Sequence, residues 1–105
     1  MAEDACTTIE DAMAVLGRAW AGAVIEAMLE GAERFSDISR AVDGVTDGVL
    51  TTRLRELCER GIVERRVEPG PPTVVTYRLT QAGRDVAPIL DAVRAFAGKH
   101  RDVLR

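Results

Sequence analysis

The stretch Ser36-Asp37-Ile38-Ser39-Arg40-Ala41-Val42-Asp43-Gly44-Val45-Thr46-Asp47-Gly48-Val49-Leu50-Thr51-Thr52-Arg53-Leu54-Arg55-Glu56-Leu57-Cys58-Glu59-Arg60-Gly61 carries the strongest structural signal in the chain. Its first seven residues read as a brief helix capped by Ser36. Asp43-Gly44 is turn chemistry, because glycine accepts the positive φ such a corner needs. Thr46 is a side-chain cap for a second helix, and Asp47 in its first turn complements the helix dipole. Along that helix Leu50, Leu54, Leu57 and Cys58 share one face, while Gly48, Thr52, Arg55 and Glu59 share the opposite one. Gly61 supplies the stop. Two helices joined by a glycine turn, the second with one apolar and one polar face, are the core of the pattern.

Beyond Gly61 the period changes from helical to alternating. Residues 62–68 read as a strand, Pro69-Gly70-Pro71-Pro72 forbids regular pairing, and Val75, Tyr77 and Leu79 alternate with Thr76 and Arg78 on a second strand. Thr80 is expected to cap one long terminal helix over about 81–104, with Val86, Ile89, Leu90, Val93, Phe96 and Ala97 at helical spacing. Pro88 should kink that helix or delay its regular start. Upstream, Thr7 and Glu10 have capping-box spacing ahead of a helix that carries Ile9, Met13 and Leu16 on one face and ends at Gly17. A second, more uniformly apolar helix carries Trp20, Val24, Ile25, Ala27, Met28 and Leu29 and stops at Gly31. Glu33-Arg34-Phe35 is short enough for an edge strand. The predicted fold is mainly α with a small β-hairpin wing: a winged helix-turn-helix in a single domain spanning 1–105. Within it the helix-turn-helix covers about 36–60 and the wing about 62–79. The helix after the glycine turn would pack by its leucines and offer its polar face to the DNA major groove, with the hairpin beside it.

Composition sets limits. The chain of 105 residues has a formal net charge of −3 and an isoelectric point of about 5.1, so bulk positive charge cannot be the basis of nucleic-acid binding and local arrangement must supply it. Between Arg34 and Arg66 seven arginines face six acids, a mild local surplus rather than a basic patch. No apolar run approaches the length of a membrane span, and the acidic start Met1-Ala2-Glu3-Asp4 lacks the layout of a signal peptide. A cytoplasmic location with reduced thiols is expected. Cys6 and Cys58 form no CxxC pair and no metal site. With His100 as the single histidine, with no serine–histidine–acid set, and with a phosphate-loop pattern that fails around Gly98-Lys99, no enzyme activity and no cofactor are expected.

The chain resembles the HxlR family of winged-helix transcriptional regulators, relatives of the MarR type, over nearly its whole length. Cys6 stands where such proteins often carry a cysteine before the first helix, and Gly17-Arg18-Ala19-Trp20 looks like their Gly-x-Lys-Trp. Arg34-Phe35-Ser36-Asp37-Ile38 resembles Arg-Phe-x-Glu-Leu. Residues 50–57 with Gly61-Ile62-Val63 and Arg65 are similar to the recognition helix and following strand, and Tyr77-Arg78-Leu79-Thr80-Gln81-Ala82-Gly83 to Tyr-Ser-Leu-Thr-x-x-Gly. The resemblance implies a homodimer built from the first and last helices, bound to double-stranded DNA at a near-palindromic operator with half-sites roughly 34 Å apart. It also implies a small-molecule effector as a further partner, since some members respond to oxidants, electrophiles or small aromatic compounds. On this basis Arg34, Ser36, Thr46, Asp47, Gly48, Thr51, Thr52, Arg53, Arg55, Pro72 and Thr73 are the expected DNA-facing residues. Ile9, Met13, Ile89, Leu90, Val93 and Phe96 are the expected dimer interface, and Cys6 is the redox candidate.

Arg55 lies nearest the centre of the polar face and is the candidate for base edges, while Arg53 leans towards phosphate or a structural salt bridge. Cys58, on the leucine face, reads as a small core residue. Trp20 reads as core, with an effector pocket as its other role. Three departures from the family pattern bear on affinity: Gly48 stands where a basic or polar residue is usual early in the recognition helix, Val74 where an arginine or lysine is expected near the wing tip, and Ala19 replaces the lysine before the tryptophan. Each removes a phosphate contact. With the acidic isoelectric point they favour a competing function, a winged-helix protein-interaction module with little DNA affinity.

Overall fold

A computed structural model describes the backbone from Glu3 to Arg105 and the side chains from Thr8 onward. The order of elements is α1 (Glu3–Leu16), α2 (Ala21–Leu29), α3 (Phe35–Ala41), α4 (Asp47–Glu59), β1 (Val63–Glu68), β2 (Val74–Leu79), α5 (Gln81–Arg84), α6 (Ala87–Lys99) and α7 (Arg101–Leu104). The winged helix-turn-helix and its hairpin are as expected, and several local expectations need correction.

The core gathers around α2. Val24, Ile25, Ala27 and Met28 meet Ile38 and Val42 of the α3 region, Leu50, Leu54 and Leu57 of α4, Val63 of β1 and Val86. Ile25, Ile38, Leu50, Leu54 and Val24 are the largest side chains fully removed from solvent. Each supplies roughly 1.5–3 kcal/mol of apolar burial. Among the described residues no single helix is long and apolar enough to cross a membrane. A bent pair of segments, Thr8–Leu16 and Ala21–Leu29, meets that test by composition; the apolarity of α2 is that of a buried core helix.

The α3–α4 turn follows the sequence closely. Gly44 has φ 89°, and the Thr46 hydroxyl accepts from the Val49 N–H at 3.2 Å. Gly61, at φ 77°, ends α4. Cys58 is half-buried at the edge of the leucine face.

The hairpin is antiparallel, with Val63 opposite Leu79, Arg65 opposite Tyr77 and Glu68 opposite Val74. Thr80 locks its base to the end of α4. Its hydroxyl donates to the Gly61 carbonyl at 2.6 Å, with the Ile62 carbonyl at 3.1 Å behind it, and accepts from the Gly83 N–H at 3.2 Å. Gly83 is buried in this corner. A β-carbon there would run into the Ile62 carbonyl oxygen and the Leu79 side chain, so the residue is glycine for closeness of approach.

Five expectations fail for identifiable reasons. Helix α1 begins at Glu3 rather than after Thr7, so the capping-box spacing lies inside the helix. Segment 33–35 forms no strand: the Glu33 carbonyl accepts one bond, from the Tyr77 N–H at 2.7 Å, and Phe35 already opens α3. Ser36 therefore sits in the first turn of α3, with Arg34 at the cap position and no side-chain cap bond. Trp20 is not core. It precedes α2 with φ 73°, is 40% exposed, and lays its ring beside Gly44. The single helix expected over 81–104 is three. Thr80 caps only the short α5, Pro88 sits in the first turn of α6 where its missing N–H costs nothing, and His100 breaks the chain again at φ −126°, ψ 45°.

Two stability outcomes follow. Thr46→Ala should lower the unfolding free energy by about 1 kcal/mol through loss of the cap. Gly83→Ala should lower it by about 1–3 kcal/mol, as overpacking does in a tight site. Urea unfolding followed by circular dichroism measures both; a neutral Gly83→Ala would show that the Ile62 corner yields.

Candidate nucleic-acid interface

Because Leu50, Leu54 and Leu57 face the core, the opposite side of α4 faces out. Gly48, Thr51 and Arg55 are exposed on it, and Asp47 begins the helix in solvent. A β-carbon on Gly48 would meet nothing within 4 Å, so packing imposes no limit on this side of the helix N-terminus. Thr52 is half-buried, and its hydroxyl donates back to the Gly48 carbonyl at 3.0 Å, a local bond that occupies its donor. Thr46 is exposed but its oxygen is engaged as the cap.

The two central arginines occupy different environments. Arg55 is exposed, and among the described residues it has neither a hydrogen bond nor an ion pair. Arg53 is drawn in, its side chain only 14% exposed. Its Nε donates to the Ala19 carbonyl at 2.8 Å and its Nη1 to Glu56 Oε1 at 3.0 Å. Of the two roles that sequence left open for Arg53, this geometry has the features of the structural salt bridge.

The flanks of α4 add positive charge unevenly. Arg34 and Ser36 are exposed at the start of α3, and Arg40 is paired with Asp37 at 2.5 Å. In the hairpin Arg66 is held by Glu64 at 2.7 Å, and that contact raises its pKa above the ordinary guanidinium value. Arg34, Arg55, Arg60 and Arg65 carry no ion pair among the described residues. Pro72 and Thr73 are exposed at the hairpin tip, beyond the last paired residues Glu68 and Val74.

Arg65 is the residue that sequence reasoning did not include. Between α4 and the hairpin runs a groove of about 380 Å³ lined by Thr51, Arg55, Cys58, Glu59, Arg65 and Tyr77. Strand parity was the available signal: Val63 is buried on the α4 side, and a period of two puts Arg65 on that same face. Burial raises the Cys58 thiol pKa above its usual value, and nearby Arg65 opposes this only partly. Cys6 lies outside the residues whose side chains are described. No group of three or more metal-ligating side chains occurs among the described residues.

Large apolar residues are also left exposed outside the α4 face. Of the ten large hydrophobic residues left exposed among those described, seven lie on α1, α6 and α7. They include Ile9 at 65%, Met13 at 56%, Val93 at 56%, Phe96 at 53% and Ile89 at 46%. Helix α6 has no buried residue at all. Leu90 differs from the rest of the expected interface set, since it is half-buried against the core and packs towards Gly22.

Comparison with known proteins agrees with the winged helix-turn-helix fold. The family model of the HxlR-like helix-turn-helix matches residues 15–104. The chain is 33% identical over 97 residues to the HTH-type transcriptional regulator YodB of Bacillus subtilis (strain 168), covering 92% of this chain and 87% of that one. The structure of the redox regulator HypR in its reduced form superposes with a TM-score of 0.82 at 36% identity, covering 92% of this chain and 96% of that one. The reduced form of YodB superposes with a TM-score of 0.78 at 32% identity, covering 89% and 91%. With the fold and these likenesses in agreement, the chain belongs to the HxlR-like helix-turn-helix family.

Proposed function

We propose that this protein is a sequence-specific, homodimeric DNA-binding transcriptional regulator. The observation that carries the reading is Arg55. It is exposed, and without a partner among the described residues, at the middle of the outward face of α4, with Thr51 beside it and Arg65 across the groove. An arginine fork in the major groove is suited to the O6 and N7 acceptors of guanine. Thr51, Gly48 and the helix N-terminus at Thr46–Asp47 border the same surface, and Arg34, Ser36, Pro72 and Thr73 lie at its flanks, where phosphates would run.

The homodimer is proposed from the uncovered apolar surface of α1, α6 and α7. A thirteen-residue helix with no buried side chain exposes its stripe unless another surface covers it. A second copy presents the same stripe and closes the contact by two-fold symmetry. Such a dimer would set two α4 helices on one side of the duplex, reading half-sites about one turn apart.

A redox-responsive form of this regulator is a second reading. It is favoured by Cys6 in this chain and by its likeness to YodB and HypR, the latter named a redox regulator. Cys58 is the weaker sensor, because burial keeps its thiol protonated.

Three outcomes test this. Arg55→Ala should weaken binding to the selected operator by about 1–3 kcal/mol and relax preference at one base position, measured by fluorescence anisotropy; unchanged affinity and preference would remove Arg55 from the interface. Val93→Asp with Phe96→Asp should convert a dimer to a monomer at micromolar concentration in sedimentation velocity and abolish operator binding. A dimer that persists would place the interface elsewhere. Cys6→Ser should remove any loss of binding caused by diamide, while Cys58→Ser retains it; the reverse pattern would assign the response to Cys58.

A further inference from the structure

Among its described side chains, helix α1 packs on the molecule at its C-terminal end. Residues 8–14 are exposed, and of the described residues of α1 only Val15 and Leu16, next to the corner, pack against the core. The direction of α1 is therefore set at the corner of residues 17–20. That corner is unusual in its backbone: Trp20, not a glycine, occupies the left-handed region at φ 73°, ψ −9°. This conformation is unfavourable for a non-glycine residue and persists where surrounding contacts hold it.

Those contacts come from the helix-turn-helix. Arg53 of α4 donates through Nε to the carbonyl of Ala19, the residue before the strained one, at 2.8 Å. Its Nη1 reaches Glu56 at 3.0 Å, and Glu56 in turn receives Arg18 at 3.4 Å. The Trp20 ring lies over the turn between α3 and α4, where a β-carbon on Gly44 would stand 3.5 Å from Cη2. The corner is thus fastened to the recognition helix by a fork of hydrogen bonds and to the preceding turn by an aromatic contact.

We propose that Arg53 is a positioning residue, which fixes the angle between α1 and α4 through the Ala19 carbonyl and Glu56 and so sets the spacing of the two recognition helices in the dimer. This rests on the homodimeric DNA-binding reading above. A fourteen-residue helix is roughly 21 Å long at 1.5 Å per residue, so a change of about ten degrees at its base moves its far end by roughly 3–4 Å. Ile9 and Met13 lie along this lever, and a shift there passes directly into the half-site separation. Arginine suits the task because its planar fork satisfies two acceptors at once, which lysine cannot do in the same geometry.

The test uses the full-length protein and its selected operator. Arg53→Ala should weaken operator binding about tenfold or more, and should bring the affinity ratio between native half-site spacing and spacing lengthened by one base pair towards one. The slope of log affinity against log salt should not change. Were Arg53 bound to a DNA phosphate instead, its removal would flatten that slope by about 0.9 and leave the spacing ratio intact, which would overturn the proposal. Unchanged affinity and spacing ratio would overturn it equally. Should the alanine variant not fold, Arg53→Lys carries the test, since the clamp predicts the same loss of spacing preference and phosphate binding predicts a near-normal complex. Hydrogen exchange on the free protein separates this proposal from the reading beneath it. Without the clamp, protection of the Ala21 and Val24 amides should fall, since their acceptors are the Arg18 and Trp20 carbonyls of the corner. Unchanged protection there overturns the clamp even if no operator is ever found.

Discussion

The burial of the leucine face of α4 is the contact on which the rest depends. Leu50, Leu54 and Leu57 close the core formed by α2 and α3, and a helix held by one face has no freedom over which residues it presents on the other. The outward position of Thr51 and Arg55 is thus a consequence of hydrophobic packing. The glycine turn at Gly44 and the Thr46 cap set where α4 begins, and the Thr80 and Gly83 corner ties the hairpin to where it ends. A leucine-to-alanine change in this set, at about 2–5 kcal/mol, would remove the function by removing the surface.

The acidic character of the chain is compatible with this surface because its charges are not spread evenly over it. Arg40, Arg53, Arg66 and Arg78 are paired with carboxylates, which leaves Arg34, Arg55, Arg60 and Arg65 as the unpaired arginines of the helix-turn-helix and wing among the described residues. Few free arginines imply few phosphate contacts and a shallow salt dependence. In the proposed homodimer, base readout and dimer geometry would then carry more of the specificity than in a strongly basic binder.

Most of the fold was legible because its signals are local. A threonine cap, positive-φ glycines, a leucine stripe and a proline-bounded hairpin each act within a few residues, and each appears where the sequence places it. What was not legible depended on distant neighbours. Trp20 looks like the start of a buried helix, yet the turn over which its ring lies is more than twenty positions downstream. Segment 33–35 has strand composition but finds one backbone partner in Tyr77. At the site, residue type and helical spacing singled out Arg55, but no spacing rule could show that Arg53 reaches a carbonyl thirty-four positions away. Strand parity places Arg65 on the α4 side of the hairpin, but the groove it lines exists only once the hairpin has folded back beside α4.

The apolar face of α1 and α6 and the polar face of α4 together make one claim: two copies read two half-sites at a fixed separation. Selection of this protein's targets from a random-sequence duplex library tests that claim most directly. The expected result is enrichment of an inverted repeat whose half-site centres lie about one helical turn apart. A library that returns a single half-site, or no enrichment over the starting pool, would contradict it.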